Sequence, residues 1–301
     1  MANARSQSIS FRQLEALLAI AQTGSFVGAS RALNTSQPAI SKRITELELA
    51  LGFQILLRSN RNSRLTLRGE AIVEACQRII DLRDQLLQAT ATPSEYSGAF
   101  RMGVTELVSL TALPDLIKLI RESGGRMKLE PVVGLTDALL ERLVSGSISL
   151  AIIPSARIPD SLVAVPFGVV EFAWMCASEG FDCPERIDLA DLGRYQLLAQ
   201  SSDSGLQRTL NGWLKAQDVS ASMSLSSNSL SALCQLTISG LGLSCLPQKY
   251  YSRHVRSGQL RMVSTNPSPP SIEYSVVYRK DRLLSVSDWI ATLCAQLRWN
   301  G

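Results

Sequence analysis

The hydrophobic positions of the first 53 residues predict consecutive helices. Before Gly24, apolar residues recur at helical spacing, and a second such series runs through Ile40, Ile44, Leu47 and Leu51. The second series forms one stripe of a 3.6-residue helix, so it should face a core and leave the polar positions between its members outside. Residues 25–53 therefore read as two short helices joined by a tight turn, a pattern typical of a DNA-reading element.

The start of this second helix carries the residue types that such elements use. Thr35 or Ser36 can cap it, and a proline is tolerated in the first turn because the missing N–H needs no partner there. An ordinary solvated helix face, with a purely structural proline, is the alternative interpretation. We predict DNA contacts by the polar and basic positions at this end, which are Ser36, Gln37, Pro38, Ser41, Lys42 and Arg43.

A two-stranded wing is predicted next. Ile55 to Arg58 and Arg64 to Thr66 read as short strands, and the turn-rich segment SNRNS lies between them. Arg58, Arg61 and Arg64 would then project near its tip, where they could grip phosphate or enter a minor groove. The alternative is that they are only solvated surface charges.

The placement of charge supports a nucleic-acid partner. Residues 1–92 hold 11 Lys and Arg against 7 Asp and Glu, whereas residues 93–301 hold 19 of each, so the whole net charge of +4 belongs to the N-terminal part. A phosphate backbone is the natural partner of such a patch.

A long helix and a different kind of domain follow. Thr66 can cap a helix from about Leu67 to Ala89, with Val73, Cys76, Ile80, Leu86 and Leu87 on one side. The segment ATPSEYSG has the composition of a hinge, and strands then alternate with helices from residue 99 onward. This alternation predicts parallel βαβ units and an α/β fold. For the long helix, an interdomain spacer is the alternative to a helix that pairs subunits.

The runs SQPAISKRITELE, LGFQILLR and LTLRG, with an SF pair upstream, closely resemble the LysR-type transcriptional regulators. The resemblance implies an all-α winged helix-turn-helix at 9–66, a dimerising linker helix at 67–92 and an effector domain at 93–301. That domain would have a two-lobed periplasmic-binding-protein-like fold, with lobe one at 94–164 and 269–301 and lobe two at 165–268. It further implies homotetramers, a small-molecule effector and a two-fold symmetric double-stranded DNA operator, with RNA polymerase as a further candidate partner.

Polar residues at strand–helix junctions predict where the effector binds. Ligands of open α/β sheets bind beyond the carboxyl ends of strands, where helix N-termini offer free N–H groups. By alignment with the resembled family, the effector-contacting positions are Thr105, Thr136, Ser201, Ser202 and Ser204. Each could instead be only a helix cap. No Lys or Arg lies at these junctions, so backbone N–H groups and hydroxyls would have to hold an anionic effector. Glu106 and Asp203 could discourage a multiply charged anion or accept hydrogen bonds from a polar or amine-bearing ligand, or could equally point to solvent, so the effector is not named.

Other classes of protein find little support. The chain has one histidine, His254, and lacks HExxH, a P-loop, a GxSxG elbow and Cys/His metal spacing, so we expect no enzyme, metal or cofactor. The alternatives are a small-molecule-binding protein or enzyme with an accessory nonspecific DNA-binding domain, and a DNA-compacting protein.

With 46% hydrophobic residues, no signal peptide and no membrane-length apolar run, a cytoplasmic protein is expected. The six cysteines are interpreted as reduced and structural, with Cys176 and Cys183 as a redox pair the alternative.

Overall fold

The computed structural model describes residues 8–57, 64–87, 96, 98–219, 223–280, 285–297 and 299–301. The chain divides into two compact units, Met1–Gln88 and Ala89–Gly301. Two of the predicted wing arginines, Arg58 and Arg61, lie outside the described residues.

The first unit is mainly helical. Its elements in chain order are α1 (Phe11–Thr23), α2 (Phe26–Ala32), α3 (Gln37–Leu51), β1 (Leu56–Leu57), β2 (Arg64–Leu65) and α4 (Leu67–Leu87). Gly24 and Gly52 end α1 and α3 with φ of 70° and 77°, a left-handed conformation that costs glycine little. The apolar stripe of α3 faces inward as the periodicity predicts, since Ile40, Ile44 and Leu47 are all buried.

Strands β1 and β2 pair antiparallel, and Thr66 connects them to the long helix. Its hydroxyl donates to the Gln54 carbonyl at 3.1 Å and accepts from the Gly69 N–H at 2.9 Å, so Thr66 caps α4 as the sequence predicts. A Cβ at position 69 would lie 2.3 Å from the Ile55 carbonyl oxygen, so this close approach requires glycine.

Helix α4 presents two different apolar rows. Cys76 and Ile80 are buried in the core of the first unit, whereas Ile79, Leu82 and Leu86 are 45%, 56% and 67% exposed. The prediction that one side of α4 carries all its apolar residues is therefore wrong, because Cys76 and Leu86 belong to different rows. Arg83, which interrupts that predicted side, instead pairs with Glu15 of α1.

The second unit is built from two sheets. Its strands in chain order are β3 (Ala99–Val104), β4 (Lys128–Val133), β5 (Leu150–Pro154), β6 (Leu162–Val170), β7 (Phe172–Ala177), β8 (Arg186–Asp188), β9 (Leu197–Gln200), β10 (Met223–Ser227), β11 (Leu243–Pro247), β12 (Leu260–Asn266) and β13 (Ile272–Arg279). Its α-helices are α5 (Glu106–Thr111), α6 (Leu113–Glu122), α7 (Thr136–Val144), α8 (Gly205–Ala216), α9 (Leu230–Ile238), α10 (Gln248–Arg256) and α11 (Ser285–Gln296). A 3₁₀ helix spans Leu189–Arg194.

The sheets define two lobes. Lobe one contains the five-stranded sheet with strand order β4-β3-β5-β13-β6, and lobe two contains the six-stranded sheet β10-β9-β11-β7-β12-β8. The predicted parallel pairing holds for β3 with β4 and β5 and for β9 with β10 and β11. Strands β13 and β7 run antiparallel to their neighbours, so both sheets are mixed.

The chain passes between the lobes twice, through residue 171 and through residues 267–271. The division predicted between residues 164 and 165 falls inside β6, which pairs with β13 as far as Val170. In the part of the chain that the structure describes, no helix has the length and apolar character needed to cross a membrane.

Candidate functional site

The N-terminal end of α3 is an exposed polar surface. Ser36 is the N-cap, in an extended conformation, and its hydroxyl accepts from the Ala39 N–H at 3.4 Å. Gln37 and Pro38 occupy the first turn and are exposed, as are Ser41 and Lys42 one turn later. The first-turn position of Pro38 leaves no backbone donor unpaired. These side chains are therefore available to a ligand outside the unit.

Lys42 and Arg43 differ in exposure. The Lys42 side chain is 79% exposed, and its Nζ lies 3.9 Å from the Glu46 carboxylate one turn later, a surface pair of low energy. Arg43 is only partly buried. Lys42 can thus exchange this weak pair for a phosphate at little cost.

Glu48 has a structural role that the sequence did not reveal. Its Oε1 accepts from the N–H groups of Ile55 and Leu56 at 2.8 and 3.2 Å, which fastens the start of the wing to α3. In the sequence, Glu48 is only one of the 7 acidic residues among residues 1–92. Arg64, the wing arginine within the described residues, is exposed on β2.

The second unit contains a cavity of about 430 Å³ where the two lobes meet. Thr105, Thr136 and Ser204, three of the predicted effector residues, line it. It lies at the carboxyl ends of β3, β5, β9 and β11, the position expected for ligands of open α/β sheets. Ser201 and Ser202 are not in its lining: the Ser201 hydroxyl is buried and has no hydrogen-bond partner among the described residues, and Ser202 is exposed.

Lobe one holds the start of α8 in lobe two. Thr136 is 1% exposed, and its Oγ1 accepts from the Gly205 N–H at 2.9 Å. A Cβ at Gly205 would lie 2.8 Å from this oxygen, so the glycine permits the close approach. Beside it the Asp137 carboxylate pairs with Arg208, and the Asp137 N–H donates to the Asp203 carbonyl at 3.2 Å. Thr136 therefore contacts both the cavity and the opposite lobe.

Lobe one also holds the start of α9, through Glu106. Its Oε1 accepts from the Ser229 hydroxyl at 3.2 Å and from the Ser231 N–H at 3.0 Å, and its Oε2 accepts from the Leu230 N–H. Ser229 is the N-cap of α9 and accepts from the Ala232 N–H at 3.2 Å. The Glu106 carboxylate thus closes the first turn of a helix in the other lobe.

The remaining polar groups of the cavity are hydroxyls and amides. Ser204 caps α8 and donates to Gln200 Oε1 at 2.7 Å, so its hydroxyl is already engaged. The Thr105 Oγ1 is buried without a hydrogen bond of normal geometry to any described residue. Burial raises the pKa of the nearby Tyr274 phenol, and interaction with Thr105 opposes that rise. Tyr274 is therefore a neutral hydroxyl at physiological pH.

The cysteines are thiols in apolar surroundings. All six are free and buried. Burial raises the pKa of Cys176 and of Cys234 to about 11, so little thiolate is present near neutral pH. Burial likewise raises the pKa of Cys183. The Cys176 and Cys183 side chains also interact with each other, and Arg261 opposes the rise of both pKa values. The interpretation as structural cysteines, with these two as a redox pair the alternative, therefore stays a prediction.

A helix-turn-helix with a short wing, joined in sequence to a two-lobed α/β domain with an interlobe cavity, defines a ligand-responsive DNA-binding protein by class. The profile described as "LysR substrate binding domain" matches residues 93–297, and that described as "Bacterial regulatory helix-turn-helix protein, lysR family" matches residues 11–70. The chain belongs to the LysR family of transcriptional regulators, with a helix-turn-helix domain and an effector-binding domain.

Individual relatives agree with this assignment. YusT of Bacillus subtilis, an uncharacterized HTH-type transcriptional regulator, is 25% identical over 88% of this chain and 88% of its own length. The transcriptional regulator BbuR of Bordetella bronchiseptica is 24% identical over 94% and 90%. The structure of full-length CbnR with its target DNA covers 95% of this chain and 100% of its own at 21% identity, with a TM-score of 0.66. That structural likeness shows the fold alone, and it confirms the predicted fold class.

Substitution of Thr136 tests the contact between the lobes. Thr136→Val keeps the shape but leaves the Gly205 N–H without its acceptor, which should cost about 1–3 kcal/mol of stability. Thr136→Ser retains the hydroxyl and serves as the control. Thermal unfolding of both variants measures the difference, and equal melting temperatures would show that the hydrogen bond contributes nothing.

Proposed function

We propose that the protein is a sequence-specific DNA-binding regulator whose α3 contacts an operator through the predicted residues Ser36, Gln37, Pro38, Ser41, Lys42 and Arg43, with Lys42 on a phosphate. The observation that carries the proposal is the exposed polar end of α3, where each of these residues except the partly buried Arg43 is open to solvent. Helix-turn-helix proteins read base edges with this end of the second helix. Arg64, with Arg58 and Arg61, would contact phosphate or a minor groove from the wing.

The second part of the proposal is that a small-molecule effector occupies the interlobe cavity. Thr105, Thr136 and Ser204 would meet it there, whereas Ser201 and Ser202 would act only through the loop that precedes α8. A cavity of about 430 Å³ falls within the range of sites for small molecules. The effector changes DNA binding only if it binds two arrangements of the protein with unequal affinity.

The protein is proposed to work without enzymatic activity, in the cytoplasm. Among the described residues, no cluster of three His, Cys, Asp or Glu side chains is arranged to hold a metal ion. The relatives are named as transcriptional regulators.

The domain boundaries are proposed to be those predicted from the sequence: the winged helix-turn-helix at 9–66, the linker helix at 67–92 and the effector domain at 93–301.

Pairing of two chains is proposed to occur through α4. The exposed apolar side chains of Ile79, Leu82 and Leu86 follow an i, i+3, i+7 spacing, which is that of a helix–helix seam. Two paired subunits would present two copies of α3 about one DNA turn or a multiple apart, and so select an operator with two-fold symmetry. Tetramers and contact with RNA polymerase extend this proposal.

Selection from randomised duplex DNA at two salt concentrations tests DNA recognition. We expect a two-fold symmetric motif, bound well above random DNA, and a loss of affinity for Lys42→Ala that is nearly uniform across sequences. The slope of log affinity against log salt should fall by about one unit for each phosphate contact removed.

The matched control for that substitution is Lys118→Ala. Lys118 is 75% exposed and lies 3.9 Å from Glu122 in the same i, i+4 arrangement as Lys42 and Glu46, but it belongs to α6 of the second unit. Its removal should leave both motif and slope unchanged. Binding without a motif, or equal effects of the two substitutions, would refute recognition by α3.

Leu82→Lys tests the seam. A charge in the middle of the exposed row should disfavour helix pairing, so we expect a lower assembly state in sedimentation velocity and loss of two-fold motif binding. Val144→Lys adds the same charge at a side chain that is 59% exposed on α7 and is the control. An unchanged assembly state in Leu82→Lys would exclude this face of α4 as the pairing surface.

A further inference from the structure

The α9 N-terminus in lobe two is occupied by a carboxylate from lobe one. First-turn N–H groups and the helix dipole make such a terminus a common binding site for anionic ligands. Here the N–H groups of Leu230 and Ser231 and the Ser229 hydroxyl all donate to Glu106. The protein's own side chain thus takes the place that a ligand's carboxylate would take.

The charge of the cavity points in the same direction. Glu106 is the one charged side chain among its described lining residues. The nearby Arg208 is committed to Asp137. An incoming carboxylate would meet a like charge without a cationic partner, and it would have to displace Glu106 from three donors before it could use the α9 terminus.

Donors on a ligand would find acceptors instead. Glu106 Oε2 accepts one hydrogen bond, so it keeps capacity for another. The amide groups of Gln200 and Asn228 and the Thr105 hydroxyl also line the cavity, but each can donate as well as accept, so the preference for a ligand donor rests on Glu106. An amine or a hydroxyl group can pair with these groups without disturbing the first turn of α9.

We propose that Glu106 determines effector specificity: it fills the α9 anion site from within the chain, so the cavity takes a small amine-bearing molecule and rejects carboxylates. This inference rests on the proposed function, because it concerns the effector of the same cavity. It makes Glu106 both the group that excludes anions and the group that pairs with the amine.

Glu106→Ala in the full-length protein tests this assignment, with benzoate and benzylamine as probes of the same ring and opposite charge. The substitution frees the α9 terminus and removes the negative charge. We expect benzoate to bind Glu106→Ala at least about tenfold tighter than wild type in calorimetric titration, which corresponds to about 1.4 kcal/mol. Benzylamine binding should weaken.

Glu141→Ala is the matched control, because it removes the same charge from an exposed position on α7 outside the cavity lining. It should bind both probes as the wild type does. Equal benzoate affinity in Glu106→Ala and wild type, or an equal gain in Glu141→Ala, overturns the assignment.

The wild type alone provides a second measurement if Glu106→Ala does not fold. It should bind benzylamine more tightly than benzoate. Benzoate affinity equal to or above that of benzylamine, or binding of neither probe, overturns the proposal.

DNA selection with the same preparations separates this inference from the proposed function. If Glu106→Ala gains benzoate binding but no DNA motif is selected, sequence-specific DNA recognition is refuted and the assignment of Glu106 stands. If a DNA motif is selected but benzoate binding is not gained, DNA recognition stands and the assignment of Glu106 is refuted.

Discussion

The cleft of the second unit depends on hydrogen bonds that cross from lobe one to the helix N-termini of lobe two. Thr136 accepts from the first residue of α8, and Glu106 accepts from the first turn of α9. First-turn N–H groups have no partner within their own helix, so acceptors from elsewhere must satisfy them or water must. Because the acceptors come from the opposite lobe, the same bonds that complete the helices also set the distance between the walls of the cavity.

This arrangement offers a physical route from ligand to lobe geometry. A molecule that pairs with Glu106 while its three bonds persist favours the arrangement in which Glu106 holds α9 against lobe one. A molecule that displaces those donors favours the opposite. A ligand with equal affinity for both lobe arrangements would shift neither, however tightly it bound. A ligand that meets groups that also bridge the lobes can bind the two arrangements unequally, and Glu106 and Thr136 are such groups.

Much of the fold could be predicted because local patterns coincide with global packing. The stripe of α3, the Gly24 stop and the Thr66 cap all act within a few residues, and each appears in the structure. Strand β6 escaped prediction, since Pro166 and Gly168 interrupt its apolar pattern and its pairing with β13 spans more than 100 residues. The sequence predicts one apolar side for α4, whereas the structure has two apolar rows. Sequence spacing alone does not show which apolar residues of α4 pack into the core of the first unit and which stay exposed.

Some residues of the candidate site could also be predicted from local sequence, and others depend on tertiary contacts. Thr105, Thr136 and Ser204 could be found because short polar residues at strand–helix junctions are a local signal. The roles of Glu106 and Glu48 could not, since each depends on partners that tertiary folding brings close. For Glu106 these partners are 123 to 125 residues away. From the sequence, Glu106 could discourage a multiply charged anion, accept hydrogen bonds from a polar or amine-bearing ligand, or equally point to solvent, and only the fold places it in the cavity lining.

Backbone amide exchange in the effector-free protein tests the central claim most directly. If lobe one holds the helix termini of lobe two, the N–H groups of Gly205, Leu230 and Ser231 should be protected. The reference is the Lys249 and Tyr250 amides in the first turn of α10, whose N-cap residue Pro247 supplies no side-chain acceptor; the Gln248 N–H is left out because it donates to the Glu171 carbonyl at 2.9 Å. The three bridging amides should exchange more slowly than these two. Exchange of all three at the rate of the two reference amides would show that the bridging bonds do not persist in solution, and would contradict the account.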